Sequence, residues 1–284
     1  MSTALRDDPR PPVGSTLAEA VGLMRGRRTA VLTGAGLSTD SGIPDYRGEG
    51  APKRNPMTFQ QFRSEGDDFR RRYWAGGHLG WKAFSSARPN DGHAALADLE
   101  AAGVVSGLVT QNVDGLHERA GSRRVVDLHG SLDRVLCLDC GQAYARSAIA
   151  ERISAENPWL DAPDAVELNP DGDAQVHDVD RFRIPVCSVC GGMLKPDVVF
   201  FGELVPTERF REASAIVAEA DVLLIAGSSL AVNSGIRLLE IARRSRMPIV
   251  ILNRGTTKGD TRASVRLEGG TSETLRAIQT ELAS

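Results

Sequence analysis

The stretch Thr29-Ala-Val-Leu-Thr-Gly-Ala-Gly-Leu-Ser38 decides the fold. Thr29 to Leu32 has the length and apolar content of a strand, and Thr33-Gly-Ala-Gly-Leu-Ser38 follows with no linker. Glycines at such a break let the backbone turn sharply and approach a pyrophosphate, whose charge rests on the N-terminus of the next helix. Taken alone the turn is a weak signal, because a tight turn without a ligand has the same sequence. Thr39 stands where the third glycine of the dinucleotide fingerprint belongs, and no acidic residue follows about twenty positions on to hold an adenosine ribose.

Working outward, the same alternation recurs. Val222-Leu-Leu-Ile-Ala226 and Ile249-Val-Ile-Leu252 are continuous apolar runs of strand length, and Ser234 to Arg246 between them has helical spacing. Glu208 to Glu219 reads as a helix capped by Thr207. Asp91 to Ala102 reads as a helix capped by Asp91 and stopped at Gly103, and Leu108-Val-Thr110 as a further strand. Strands alternating with helices predict right-handed crossovers and an α/β, Rossmann-like parallel sheet with helices on both faces. Three more strand ends carry small or polar residues: Thr110-Gln-Asn-Val-Asp114, Gly227-Ser-Ser229 and Asn253-Arg-Gly255. Ligands of open α/β sheets bind outside the carboxyl ends of the strands, so four such ends predict one extended site. Ser41-Gly-Ile-Pro-Asp-Tyr-Arg47, just past the first turn, reads either as a cover for a bound cofactor or as a solvated loop.

Two excursions interrupt the sheet. Glu49 to Pro89 is rich in arginine and aromatics, and Val135 to Leu194 carries all four cysteines and an acidic segment. The expected organisation is a Rossmann-like domain from 15–48, 90–134 and 195–284, a helical, cofactor-loop insertion at 49–89, a small zinc-binding insertion at 135–194, and a disordered arm at 1–14. Cys137-Leu-Asp-Cys140-Gly and Cys187-Ser-Val-Cys190-Gly-Gly are two CxxC knuckles. Such a pair of pairs predicts one closed four-thiolate Zn2+ site with no open position for catalysis, the alternatives being redox dithiols or free cysteines. Of the five histidines, His129 in Asp127-Leu-His-Gly130 stands just before the first knuckle. An imidazole suits acid–base work near neutrality, although a lone histidine is more often structural. His93 reads as a helix-surface or packing residue, and His117, close after Asp114, as structural.

The chain has 284 residues, 41% hydrophobic and 25% charged, the composition of an ordinary globular protein. A formal net charge of −3 opposes nucleic acid as a partner. The apolar runs are too short to span a membrane. Residues 1–14 have no apolar core like that of a secretory signal, so a cytoplasmic location is expected. A reducing compartment favours metal over disulfides at the cysteines.

Read together, these motifs resemble the sirtuin family. The likeness is carried by Gly34-Ala-Gly-Leu-Ser38, Ser41 to Arg47, Gln111-Asn-Val-Asp-Gly-Leu-His117, Leu128-His-Gly130, both CxxC pairs, Lys195-Pro-Asp-Val-Val-Phe-Phe-Gly-Glu203, Gly227-Ser-Ser229 and Asn253, in one order. Arg72-Tyr-Trp-Ala75, Gly80-Trp81, Asp133 to Gly141 and Asn169-Pro-Asp-Gly-Asp173 look like the branch that includes the mitochondrial lipoamidase-type sirtuin, whose bacterial members are usually labelled deacetylases. The resemblance implies an NAD-consuming protein-lysine deacylase. Its product would be nicotinamide, free lysine and 2′-O-acyl-ADP-ribose, and its partners acylated proteins; a monomer is compatible with it.

The resemblance also implies roles. Gly34, Ala35, Gly36 and Ser38 would hold the NAD pyrophosphate, and Asp45, Tyr46 and Arg47 would belong to the cofactor loop. Gln111 and Asn112 would contact the nicotinamide ribose, and Asp114 would accept from the carboxamide. Gly227, Ser228, Ser229, Asn253 and Arg254 would lie on the adenosine side. Val199, Phe201, Gly202 and Glu203 would bind the acyl-lysine, and His129 would be the base, working with Asn112 and Asp114. Sirtuins specialised for acidic acyl groups carry a tyrosine and an arginine three residues apart; here Gly76 stands three after Tyr73, which speaks against succinyl. Rival readings are a hydride-transferring dehydrogenase, which would form NADH, a protein ADP-ribosyltransferase using the same NAD site, and a zinc scaffold that senses NAD without turnover.

Overall fold

The computed structural model describes residues 15–45, 56–64, 66–160, 176 and 179–283. The expected arm at 1–14, Tyr46 and Arg47 of the cofactor loop, and Asn169 to Asp173 lie outside the described residues. In chain order the strands are β1 Thr29–Thr33, β2 Val105–Thr110, β3 Val125–Asp127, β4 Gly130–Cys137, β5 Ala143–Ala145, β6 Leu194–Val198, β7 Val222–Ala226, β8 Ile249–Asn253 and β9 Val265–Glu268. The helices are α1 Leu17–Met24, α2 Phe59–Arg63, α3 Asp68–Ser86, α4 Asp91–Ala101, α5 Leu116–Arg119, α6 Arg146–Glu156, α7 Thr207–Ala218, α8 Asn233–Arg244 and α9 Thr271–Ala283.

Six strands pair in the order β3-β2-β1-β7-β8-β9, all parallel. Every residue of β1, β7 and β8 is buried, which is why these segments read as unbroken apolar runs. The period of two divides them between faces. Val31, Leu224 and Val250 pack with α1, α4 and α9, whereas Leu32, Leu223, Ile225 and Ile251 pack with α7 and α8. The order runs outward in one direction from β1 to β3 and in the other from β7 to β9, so the sheet switches direction between β1 and β7. A crevice opens at the carboxyl ends of strands at such a point.

Element ends correct the sequence reading in three places. The cap of α4 is Asn90 and not Asp91: Asn90 is extended, and its Oδ1 accepts from the N–H groups of Gly92 and His93. Asn90 is held there because its Nδ2 also donates to the Leu37 carbonyl at 2.7 Å. Thr207 does not cap α7 but begins it; Pro206, with φ −52°, sets the entry angle and supplies no side-chain cap. Helix α8 stops before Arg246, which takes φ +55°.

Strands β5, β4 and β6 form a separate antiparallel sheet. Because β4 starts at Gly130 and β6 ends at Val198, this sheet straddles the boundaries at 134/135 and 194/195 drawn from sequence. The chain leaves the main sheet at Gly130, whose φ of +86° and close approach to the Asp197 carbonyl admit no side chain: a Cβ would lie 1.9 Å from that oxygen. The two insertions share one core, in which Phe62, Trp74 and Leu79 of α2 and α3 pack with Val135, Ile149, Ile153 and Leu194. No helix among the described residues is long and apolar enough to cross a membrane.

Trp74 is fully buried at this joint. Trp74→Ala is expected to destabilise the chain by about 3–5 kcal/mol, read from denaturant unfolding; a loss under 1 kcal/mol would show that the insertions do not depend on one another. A second expectation concerns acid. His93 and His117 are buried with their rings 4.9 Å apart. Desolvation lowers His93 from its ordinary 6.5 to about 4 and His117 well below its ordinary value. Between pH 6.5 and about 4 the unfolded chain therefore binds protons that the folded chain refuses, so stability should fall as pH drops through that window. His93→Gln should flatten the slope of midpoint against pH.

Candidate functional site

At the switch point the turn after β1 touches the turn after β7 backbone to backbone. Gly34 N–H donates to the Ala226 carbonyl at 3.2 Å and Gly36 N–H to the Gly227 carbonyl at 2.9 Å. Gly227 has φ +65°, and a Cβ on it would lie 2.4 Å from Leu37 N. A Cβ on Gly34 would meet the Gly227 oxygen at 2.8 Å. The rim of the crevice is thus bare main chain, the surface that a pyrophosphate needs. Ala35 opens a single 3-10 turn, Ala35–Leu37, rather than the long helix of a dehydrogenase fingerprint.

The loop after β2 enters this crevice as a hydrogen-bonded set. Asn112 Nδ2 donates to the Gly34 carbonyl at 3.1 Å and to Ser38 Oγ at 3.0 Å, and Ser38 Oγ donates to Asp114 Oδ2 at 2.8 Å. Asp114 Oδ1 accepts from Leu116 N–H. Burial raises the Asp114 carboxyl above its ordinary value, and the donations from Leu116 and Ser38 counter part of that rise. Ser228 Oγ donates to Gln111 Oε1 at 2.6 Å, tying the β7 turn to the β2 loop.

His129 follows β3, in line with those loops. Its Nδ1 is 2.9 Å from the Gln111 carbonyl oxygen. A carbonyl can only accept, so Nδ1 carries the proton, and in the neutral ring Nε2 is the unprotonated, basic nitrogen. Burial lowers its proton affinity, the Gln111 bond raises it, and Arg209 of α7 lowers it. A neutral imidazole beside a crevice lined by amide, hydroxyl and carboxyl groups can accept a proton from a bound hydroxyl.

The segment after β6 lies across from this histidine. Val199 N–H donates to the His129 carbonyl at 2.8 Å. Phe59 N–H donates to the Phe201 carbonyl, and Glu203 Oε2 accepts from Phe200 N–H and from Lys195 Nζ. Phe201 and Gly202 are exposed. Ser229 is half-buried beside Ser228, Asn253 is buried at the end of β8 with Nδ2 donating to the Arg254 and Gly255 carbonyls, and Arg254 is exposed. Asp45 is half-buried at the edge of the described residues.

The four cysteine Sγ atoms lie within 4.8 Å of one another. Cys137 and Cys190 are 3.5 Å apart, Cys140 and Cys187 3.7 Å. A disulfide requires about 2.05 Å, whereas thiolates about 2.3 Å from a tetrahedral zinc are separated by about 3.8 Å. Gly192 N–H points at Cys190 Sγ, and Asp139 of one knuckle accepts from Met193 N–H beyond the other. The donor set fits one closed Zn2+ site.

Several contributors escaped the sequence reading. Arg119 donates to the Asp114 carbonyl, Thr271 Oγ1 to the Gly36 carbonyl, and Asn90 to the Leu37 carbonyl. Ser234 meets His129. Thr271, Asn90 and Ser234 come from distant elements and Arg119 from the short helix just after the loop, and none carries a local motif; only the polar residue at the start of a helix after a strand hinted at Ser234.

The crevice and the thiolate cluster define an α/β enzyme that binds a dinucleotide and keeps its metal for structure. Over residues 34–234 the sequence matches the Sir2 family. It is 52% identical over 268 residues to NAD-dependent protein deacetylase 1 of Mycobacterium avium, covering 93% of this chain and 95% of that one. It is 44% identical over 286 residues to the mitochondrial NAD-dependent protein lipoamidase sirtuin-4 of Bos taurus, covering 98% and 90%. A solved Sir2–p53 peptide–NAD+ complex aligns with a TM-score of 0.75 at 30% identity, over 94% of this chain and 98% of that one. The chain belongs to the Sir2 family.

Metal analysis should find one zinc per chain. Chelation, or Cys140→Ser, should unfold the shared insertion core and lower the melting temperature, because the site closes a module too small to hold itself together.

Proposed function

We propose that this Sir2-family enzyme uses NAD to remove acyl groups from lysine side chains of proteins, leaving free lysine, nicotinamide and 2′-O-acyl-ADP-ribose. The observation that carries the reading is His129: a neutral imidazole, with Nε2 as acceptor, held by the same Gln111–Asp114 loop that reaches the glycine crevice. NAD supplies the ribose carbon to which the acyl oxygen bonds as nicotinamide leaves.

The chain's own groups divide the remaining work. Gly34, Ala35, Gly36 and Ser38 hold the pyrophosphate, and Asp45, Tyr46 and Arg47 cover the cofactor. Gln111 and Asn112 fix the nicotinamide ribose, while Asp114 accepts from the carboxamide. Gly227, Ser228, Ser229, Asn253 and Arg254 face the adenosine side. Val199, Phe201, Gly202 and Glu203 receive the acyl-lysine, the extended peptide pairing by strand addition. His129 Nε2 takes the proton of a ribose hydroxyl, freeing its oxygen to attack the acyl carbon. Holding two weakly reactive partners in line is worth ~7–11 kcal/mol. The likeness to a lipoamidase supports acyl groups longer than acetyl alongside acetyl itself. Acylated cytoplasmic proteins are the expected partners, with no part for nucleic acid or membrane.

His129→Tyr should abolish acyl removal while NAD binding, measured calorimetrically, persists. Nicotinamide release that labels protein with ADP-ribose instead of removing an acyl group would favour the transferase reading. Because His129 is pushed below its ordinary 6.5, the reaction should stay active below neutrality and decline only as pH falls through that lowered value.

A further inference from the structure

Both ring nitrogens of His129 have partners. Nδ1 donates to the Gln111 carbonyl, and Nε2 lies 2.8 Å from Ser234 Oγ. With the proton on Nδ1, Nε2 is a lone pair and the Ser234 hydroxyl must donate to it. Ser234 is buried in the first turn of α8. Its neighbour Gly235 packs on Gln111, where a Cβ would lie 3.0 Å from Nε2 of that side chain. The hydroxyl is therefore braced against the residue that orients the other edge of the ring. It occupies the very lone pair that the reaction needs.

We propose that Ser234 is a positioning residue: in the substrate-free enzyme its hydroxyl fixes His129 with Nε2 as acceptor, and it yields that lone pair to the ribose hydroxyl. The proposal rests on His129 being the base. Donation to the neutral ring favours it over imidazolium, so Ser234 keeps the base unprotonated as well as aimed. Other groups bear on the ring without donating to Nε2. Arg209 of α7 repels a second proton and is itself paired with Asp197 of β6 at 3.0 Å. Asp127 of β3 stands two residues upstream, and Asp114 lies on the loop after β2. Among the described residues only Ser234 reaches Nε2.

The test is the imidazole 15N spectrum of His129, assigned with His129→Gln and followed against pH in the full chain without NAD or peptide. The wild type should show an unprotonated, hydrogen-bond-accepting Nε2 and a protonated Nδ1. Ser234→Ala should raise the ring's pKa by about half a unit or more, the loss of one ordinary hydrogen bond to the neutral form, and Ser234→Thr should restore it. Should Ser234→Ala lower the melting temperature, Ser234→Cys, a weaker donor of similar size, should give an intermediate shift. With NAD and an acetyl-lysine peptide, the acid limb of acyl removal should move upward in Ser234→Ala by the same amount. A protonated Nε2 in the wild type, an unchanged pKa in Ser234→Ala, or an acid limb that stays put would each overturn the proposal. A wild type that titrates as described yet removes no acyl group would instead overturn the functional reading.

Discussion

The contact on which the rest depends is the one between Gly36 and Gly227, where two turns from neighbouring strands meet with nothing but main chain between them. The parallel register of β1 and β7 brings the turns together, because Thr33 pairs with Ala226 as the last partner on each strand. Everything beyond that point is placed relative to it: Asn112 reaches back to the Gly34 carbonyl, Ser228 reaches across to Gln111, and Gln111 orients His129. One side chain at Gly227 would separate the turns and disconnect this relay at its origin.

A second constraint is the dependence of the insertions on each other. Segments 49–89 and 135–194 close one core between them, through Phe62, Trp74, Val135, Ile149 and Ile153, with the thiolate cluster at the end of β4. The described helices of that first segment, α2 and α3, pack into the metal module.

How much was legible follows from where each signal is written. The unbroken runs of β1, β7 and β8 announce strands buried on both faces, and the CxxC pairs announce their cluster, because in both cases the chemistry is local. Strand β3, only Val125–Asp127 and half-buried, leaves no apolar run to recognise. Asp91 is as good a capping type as Asn90, so local sequence places the cap one residue late; the choice is made by Leu37, 53 residues upstream. Hydrogen bonds join Gly34, Ser38, Gln111, Asn112, Asp114, Ser228 and His129, all singled out from the sequence, whereas Arg119 and Thr271 left no sign there and Ser234 only its place at the start of a helix, because their contacts exist only after folding.

His129 sits where the chain passes between the two sheets. The N–H just before it, on Leu128, is bonded to Thr110 of the main sheet, and its own carbonyl takes the N–H of Val199 beside the small one. Main-chain bonds on either side of it thus tie the residue to both sheets at once. The imidazole is mounted on the seam where the two sheets are joined, and its place is set by both.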